Sequence, residues 1–285
     1  LQEGRVLAEY ANDPDYSEIS LNPDKDLHSF SAKLLYPELE PLSVSEIKKN
    51  HSDKRQKAKS ISFAIPYGGN GATIAQNLSL SIKQGEDIYN KFMNAFPGLK
   101  NYFNQVKKET IEQGYVLINK LTGRKSFFYN YDEYLNLKER LESYSNSINH
   151  PESFQGLSQT FWDYYGQQKS IESDIFLEMK ALLSKYFKLK NTFERKGLNF
   201  PIQGSSAEMT KLAGIKFYQW ILEKNLWGKV FICAFVHDEI VTECPKNIAN
   251  TVSKKLKQCM ESAGKIFCPT IPIIAEPNIG EKWDH

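Results

Sequence analysis

An α+β fold is predicted for this chain of 285 residues on three observations. Arg55, Lys59, Phe63 and Tyr67 recur every fourth residue, as do Arg195, Asn199 and Gln203, and that spacing lines each set along one stripe of a helix. The apolar run 230–236 leads into His237-Asp238-Glu239 and then Ile240-Val241, which reads as two stiff strands joined at a polar tip. A further strand-like run, 271–276, lies near the end. With 41% apolar residues, a chain of this length can bury a sizeable core and form two subdomains.

Taken in order, Val6, Leu7 and Tyr10 predict a short helix closed by Asn12, Asp13 and Pro14. Residues 26–36 read as a helix that stops at Pro37. Ser43 and Glu46 form a capping-box pattern that opens another, and Ser52 is placed to cap the helix of the first stripe. Pro66 removes an N–H from that stripe and crowds the Ser62 carbonyl, so a kink or an early end is expected before Gly68-Gly69. Ile88, Phe92 and Phe96 again run at fours, Pro97 opens the next helix, and Gly114 terminates it. Residues 115–120 and 124–129 predict a hairpin across Leu121-Thr122-Gly123. Residues 130–190 are rich in Ser, Asn, Glu and Tyr and read as an insertion with helical stretches. Ile248, Val252, Leu256 and Met260 mark a helix ahead of the last strand.

The chemistry-bearing residues fall on these elements. A carboxylate at a strand end is held in place, which suits Asp238 to ligating a metal; read alone, the tripeptide is an ordinary polar turn. Two cations followed by two aromatics suit neither a core-facing nor a solvated stripe. They fit a surface that grips a polyanion at one end and stacks on a flat ring at the other, as a nucleoside triphosphate requires, with a snorkelling amphipathic helix as the plain alternative. The net charge of +2 is too small to announce a nucleic-acid partner, but Lys48, Lys49, Lys54, Arg55, Lys57 and Lys59 crowd one stretch with only Asp53 opposing them. The four cysteines have no paired metal-ligand spacing, lie in or near apolar runs and read as buried reduced thiols. No apolar stretch is long enough to span a membrane.

With segment 194–204 added, the chain resembles the family A DNA polymerases. Residues 55–68 look like motif B of their fingers, His237-Asp238-Glu239 looks like motif C of their palm, and Arg195, Asn199 and Gln203 match palm residues that touch the primer-template. Phe96-Pro97-Gly98, Gly114-Tyr115-Val116, Thr122-Gly123-Arg124 and the terminal Gly280-Glu281-Lys282-Trp283-Asp284-His285 are similar to further family segments. Motif A in the family is Asp-Tyr-Ser with a Glu following. Asp15-Tyr16-Ser17 looks like it, yet Ser20 stands where the Glu belongs, Pro14 precedes it, and no apolar run leads in. Residues 2–11 better resemble the helix after motif A. In that register Glu3 is the motif A glutamate, Asp26-Leu27-His28 falls at the family's Asp-Ile-His, and the metal-binding Asp precedes Leu1.

The resemblance implies a right-hand polymerase fold with helical fingers on an antiparallel palm sheet, thumb and exonuclease being absent from the sequence. Residues 1–25 would be palm following motif A, 26–129 fingers, 130–190 insertion, and 191–285 palm with motif C. It implies template-directed DNA synthesis from dNTPs with two Mg²⁺ ions, or Mn²⁺, held by Asp238 and the second Asp, with Glu239 in support. Lys59, Arg55 and His28 would face the triphosphate, with Lys59 stabilising the leaving pyrophosphate. Phe63 would stack near the incoming sugar and base, Tyr67 would pack at the templating position, and Glu3 would reject a ribose 2′-hydroxyl. Arg195, Asn199, Gln203, His237 and Arg124 would hold the duplex. Implied partners are primer-template DNA, dNTPs and an N-terminal thumb and exonuclease portion, in the same chain or another, with no membrane. The implied setting is the cytoplasm, at a nucleoid or viral replication site, an organelle also being compatible. A single-subunit RNA polymerase and a non-catalytic DNA-binding subunit are the alternatives.

Overall fold

The computed structural model describes residues 2–22, 25–147 and 174–283, so part of the expected insertion lies outside the described residues. The chain opens with α1 (Gln2–Ala11), which ends where Asn12 turns left-handed at φ 46°. Pro14 does more than close α1. It occupies the first turn of α2 (Pro14–Leu21), a helix the sequence pattern does not signal, and Asp13 caps it through the Tyr16 amide. α3 (Leu27–Leu35) is capped by Asp26, and α4 (Val44–Asn50) has the expected Ser43–Glu46 capping box. α5 (Ser52–Ala64) carries the first stripe. Ser52 is its first residue and not its cap, because the boundary residue is His51, which makes no side-chain cap bond. The helix ends early, as Pro66 requires: the amides of Gly68 and Gly69 turn back to the carbonyls of Ile65 and Ala64, leaving Tyr67 in a turn.

α6 (Gly71–Leu78) and α7 (Ile82–Ala95) each start with a capping box, Asn70–Thr73 and Ser81–Gln84. α8 (Pro97–Gln113) begins at Pro97 and stops at left-handed Gly114. β1 (Tyr115–Leu117) and β2 (Lys125–Phe127) pair antiparallel with Tyr115 opposite Phe127, giving the predicted hairpin. α9 (Tyr131–Ser147) follows, then α10 (Asp174–Glu223), β3 (Phe231–Val236), β4 (Glu239–Glu243) and α11 (Ala249–Phe267).

α10 is the spine. Its 50 residues rise about 75 Å, and it passes residue 190 without a break. Its first part packs on α9 and the end of the hairpin through buried aromatics: Phe193 stacks on Phe128, just past β2, at 4.2 Å, and the Tyr134 and Tyr186 hydroxyls meet at 3.0 Å. Its middle packs on α1 and α8, where Leu198, Ile202 and Met209 join Val6, Leu7, Phe96 and Phe103 in the main core. Its last part buries Phe217, Trp220 and Ile221 against β3 and α11. Each buried side chain of this size contributes about 1.5–3 kcal/mol, so the helix is held by tertiary burial despite Pro201 inside it, which leaves the Gly197 carbonyl without its helical donor.

The sheet is smaller than expected. Among the described residues β3 pairs only with β4, and residues 271–276 form no strand. Their amides are taken by carboxylates instead: Ile271 N–H donates to Glu9 at 2.8 Å and Ala275 N–H to Glu261 at 3.3 Å, while Ile271 and Ala275 are buried as strand residues would be.

Candidate nucleotide and primer-template site

Asp26 organises the N-terminal end of α5. Its carboxylate accepts the His28 and Ser29 amides at the start of α3 and also receives Arg55 Nε at 2.7 Å and Nη2 at 3.0 Å. That two-pronged pair fastens α5 to α3. Arg55, expected to bind phosphate, is therefore already committed to a carboxylate in this structure. Partial burial pushes the Asp26 carboxyl up, but hydrogen bonds from Arg55 and Ser29 and the Arg55 charge outweigh it and hold the carboxyl well below the usual range. Because the folded-state value is depressed, this contribution is present above the unfolded value near pH 4 and is lost as pH falls through the folded value. Asp26→Asn is expected to flatten the acid side of the stability curve below about pH 5, measured by urea unfolding at a series of pH values.

Beside this pair, His28 Nδ1 lies 2.5 Å from the Ser62 hydroxyl, and its ring centroid is 5.1 Å from that of Phe63. Burial, then the cations Arg55 and Lys59, lower the His28 pKa against the pull of Asp26, so the imidazole is neutral at pH 7. Lys59 is half-buried with no carboxylate partner among the described residues, and the Phe63 ring is 54% exposed. One turn on, the Tyr67 hydroxyl donates to the Glu3 carboxylate and is pushed up to about 12 by burial first and by Glu3 second. The Glu3–Tyr67 bond joins α1 to the end of the stripe. Asp15, by contrast, is exposed in the first turn of α2 and ends no strand.

Gly68, at φ 80°, brings the stripe against α10: a Cβ there would lie 3.4 Å from Arg195 Cγ and 3.2 Å from Leu198 Cδ1. Residues 55–68 and the stripe of Arg195, Asn199 and Gln203 thus adjoin. Arg195 and Gln203 are exposed, whereas Asn199 Oδ1 is buried without a hydrogen-bond donor. Arg124, also expected to bind DNA, donates to Glu208 at 3.1 Å, and Thr122 donates to the same carboxylate. Behind that loop is a polar knot absent from the sequence reading. The Asn119 amide donates to Ser205 Oγ at 2.8 Å and to the Tyr10 hydroxyl at 3.3 Å, while Asn119 Oδ1 accepts the Leu121 amide at 2.7 Å. It ties α1, the hairpin loop and α10 together; an isolated Asn ahead of a turn signals only the last of these bonds.

His237 and Asp238 form a two-residue loop, Val236 facing Glu239 across it. His237 adopts φ 52°, a left-handed conformation uncommon outside glycine, so backbone strain of about 1 kcal/mol is held at the tip that carries Asp238. Cys233 is the extra residue of a bulge between Ile232 and Ala234, which adds twist to the strand leading there and leaves its thiol exposed, whereas Cys259 and Cys268 are buried as expected. His237, Asp238 and Glu239 are all exposed, and neither His237 nor Asp238 makes a side-chain hydrogen bond or ion pair among the described residues. Among those residues no three His, Cys, Asp or Glu side chains converge on one point suited to a metal ion, and no helix is long and apolar enough to cross a membrane.

The family model for DNA polymerase family A matches residues 2–285. The chain belongs to DNA polymerase family A. It is 26% identical over 281 residues to DNA polymerase I of Streptococcus pneumoniae strain R6, covering 99% of this chain and 25% of that protein. Identity is also 26% to DNA polymerase I of Aquifex aeolicus, of which 37% is covered. This family A chain thus spans 24–37% of the length of these curated relatives. A solved POL domain of Pol1 from M. smegmatis, in complex with DNA primer-template and dNTP, superposes with a TM-score of 0.62 at 21% identity, covering 92% of this chain and 35% of that one. That likeness shows the shared α+β polymerase fold.

Proposed function

We propose that this chain is the fingers-and-palm portion of a template-directed DNA polymerase that adds dNTPs to a primer 3′-hydroxyl. The observation that carries the reading is the convergence of Lys59, His28, Phe63, Tyr67 and Glu3 on one end of α5, next to Arg195 on α10. An ammonium with no carboxylate partner among the described residues, an imidazole N–H donor and an exposed ring lie side by side there, which suits a triphosphate and its base. Residues 1–25 and 191–285 serve as palm and 26–129 as fingers, with 130–190 added to that plan.

Asp238 offers hard oxygen donors with no other partner among the described residues, and Glu239 follows it, so the donor set suits Mg²⁺ or Mn²⁺ but supplies one side of a two-cation site. When bound, the cations supply activation of the primer hydroxyl and neutralisation of the departing pyrophosphate. Lys59 places charge where it develops on the leaving group, and neutral His28 donates a hydrogen bond to phosphate. Glu3, anchored by Tyr67, stands where a 2′-hydroxyl would come and rejects ribonucleotides. Arg195, Gln203 and His237 hold the duplex through its backbone and minor groove; Asn199, whose buried oxygen lacks a donor, joins them when a base edge supplies one.

Primer extension with labelled primer-template, Mg²⁺ and four dNTPs tests this, run with the chain alone and with the N-terminal portion of a family A polymerase. Extension is expected only in the second case and is abolished by Asp238→Ala. Extension by the chain alone would overturn the register that makes Glu3 the motif A glutamate. DNA binding without extension in either case would make the chain a non-catalytic binder.

A further inference from the structure

The β1–β2 hairpin carries a surface that the site above does not use. From Gly114 to Tyr131 the sequence holds Lys120, Arg124 and Lys125 and not one Asp or Glu, and five aromatics. Lys125 and Phe127 stand out on the outer face of β2, Phe128 is buried, and Tyr129 is exposed in the turn that follows. The outward rings are unusually bare: Phe127 is 70% exposed and Tyr129 is fully so, at 103%. Tyr115, opposite Phe127, has its ring centroid 5.5 Å from it, and the Lys125 ammonium lies 4.2 Å from the Tyr115 ring centre. The inner side is fixed, since Ile118 packs against Gly204 and the Asn119 knot holds the loop. Tyr129 lies in the turn just past the end of β2, two residues on from Phe127.

A segment of bare aromatics interleaved with lysine, with no Asp or Glu of its own, is the chemistry that binds unpaired nucleic acid. Rings accept any base by stacking, and the cations follow the phosphates. Duplex DNA keeps its base faces covered and cannot use the rings. We propose that the outer face of this hairpin, Tyr115, Lys125, Phe127 and Tyr129, is a stacking platform for single-stranded DNA, the unpaired template strand next to the duplex. This rests on the polymerase reading, since Arg195 and Gln203 bring the duplex to the adjoining surface of α10.

The test is fluorescence anisotropy with dye-labelled DNA, either a blunt duplex or the same duplex with an unpaired 5′ template extension, at two salt concentrations. Phe127→Leu with Tyr129→Leu keeps apolar bulk and removes both ring faces; Tyr129→Ala alone removes a side chain that supports no packing. The native chain is expected to bind the extended DNA more tightly than the blunt one. The double variant should lose about tenfold in affinity for the extended DNA and nothing for the blunt duplex, and Tyr129→Ala should lose part of the same amount. Equal affinity of native and variant for the extended DNA would overturn the platform while leaving the polymerase reading intact. An equal loss on both DNAs would reassign the face to duplex contact and overturn it as well. Native protein that binds neither DNA would sink both proposals together.

Discussion

Lys59→Ala, in a polymerase completed with its N-terminal portion, is expected to lower the rate of nucleotide addition about 10²- to 10³-fold, with primer-template affinity unchanged. The reason lies in which stripe cation is free. Arg55 is held by both prongs to Asp26, whereas Lys59, one turn on, has no carboxylate partner among the described residues. A preorganised charge facing the leaving group acts more strongly in the transition state than in the ground state, so the loss should fall on kcat rather than KM. Lys59→Arg separates two roles. Arginine keeps the charge but cannot give up a proton, so near-native rates would assign Lys59 to electrostatics and a persistent defect to proton donation. Rapid-quench single-turnover kinetics read both constants, and a loss under about fivefold for Lys59→Ala would remove it from the transition state.

The sequence disclosed the stripe because chemistry and periodicity coincided there: Arg55, Lys59 and Phe63 share one side of α5, and the spacing runs on to Tyr67 although Pro66 ends the helix first. It did not disclose that Arg55 is neutralised. Asp26 and Arg55 are far apart in sequence, and only the packing of α3 on α5 brings them together; the readable local signal was Asp26 as a helix cap. Arg124 repeats the lesson, its charge taken up by Glu208 on α10. Periodicity reports which side of a helix a residue occupies, not which charge from another element lies opposite.

Among the elements, capped helices and tight turns were legible because their signals are local: the Ser43–Glu46 box, Gly114 at the end of α8, and the hairpin around Gly123. Residues 271–276 were misread for the opposite reason. Their buried and exposed residues suit a strand, but a strand also needs a neighbour, and their amides instead meet Glu9 and Glu261. α2 escaped notice because Pro14 serves equally to close one helix and to open the next.

That same junction carries the largest stability effect expected, since Asp13→Ala should destabilise the fold by about 2–4 kcal/mol. Asp13 is 1% exposed and caps two helices at once. One oxygen accepts the Tyr16 amide at 3.0 Å, at the start of α2, and the other accepts the amides of Gly98 at 2.7 Å and Leu99 at 3.3 Å, at the start of α8. Pro97 has no N–H, so Gly98 and Leu99 are the first donors α8 exposes, and a buried carboxylate also meets the positive end of that helix. Gly98 is required by the approach: a Cβ there would lie 2.9 Å from Asp13 Cβ. Alanine at 13 would leave three amides without their acceptor beside the Tyr16–Phe96 ring contact, two of them in buried bonds. Asparagine is no remedy, because its amide nitrogen would face donors at one of the two helices, so Asp13→Asn should recover less than half of the loss. Urea unfolding followed by circular dichroism measures both variants. A change under about 1 kcal/mol for Asp13→Ala would mean that the two helix starts find other acceptors and that the carboxylate does not hold α2 to α8.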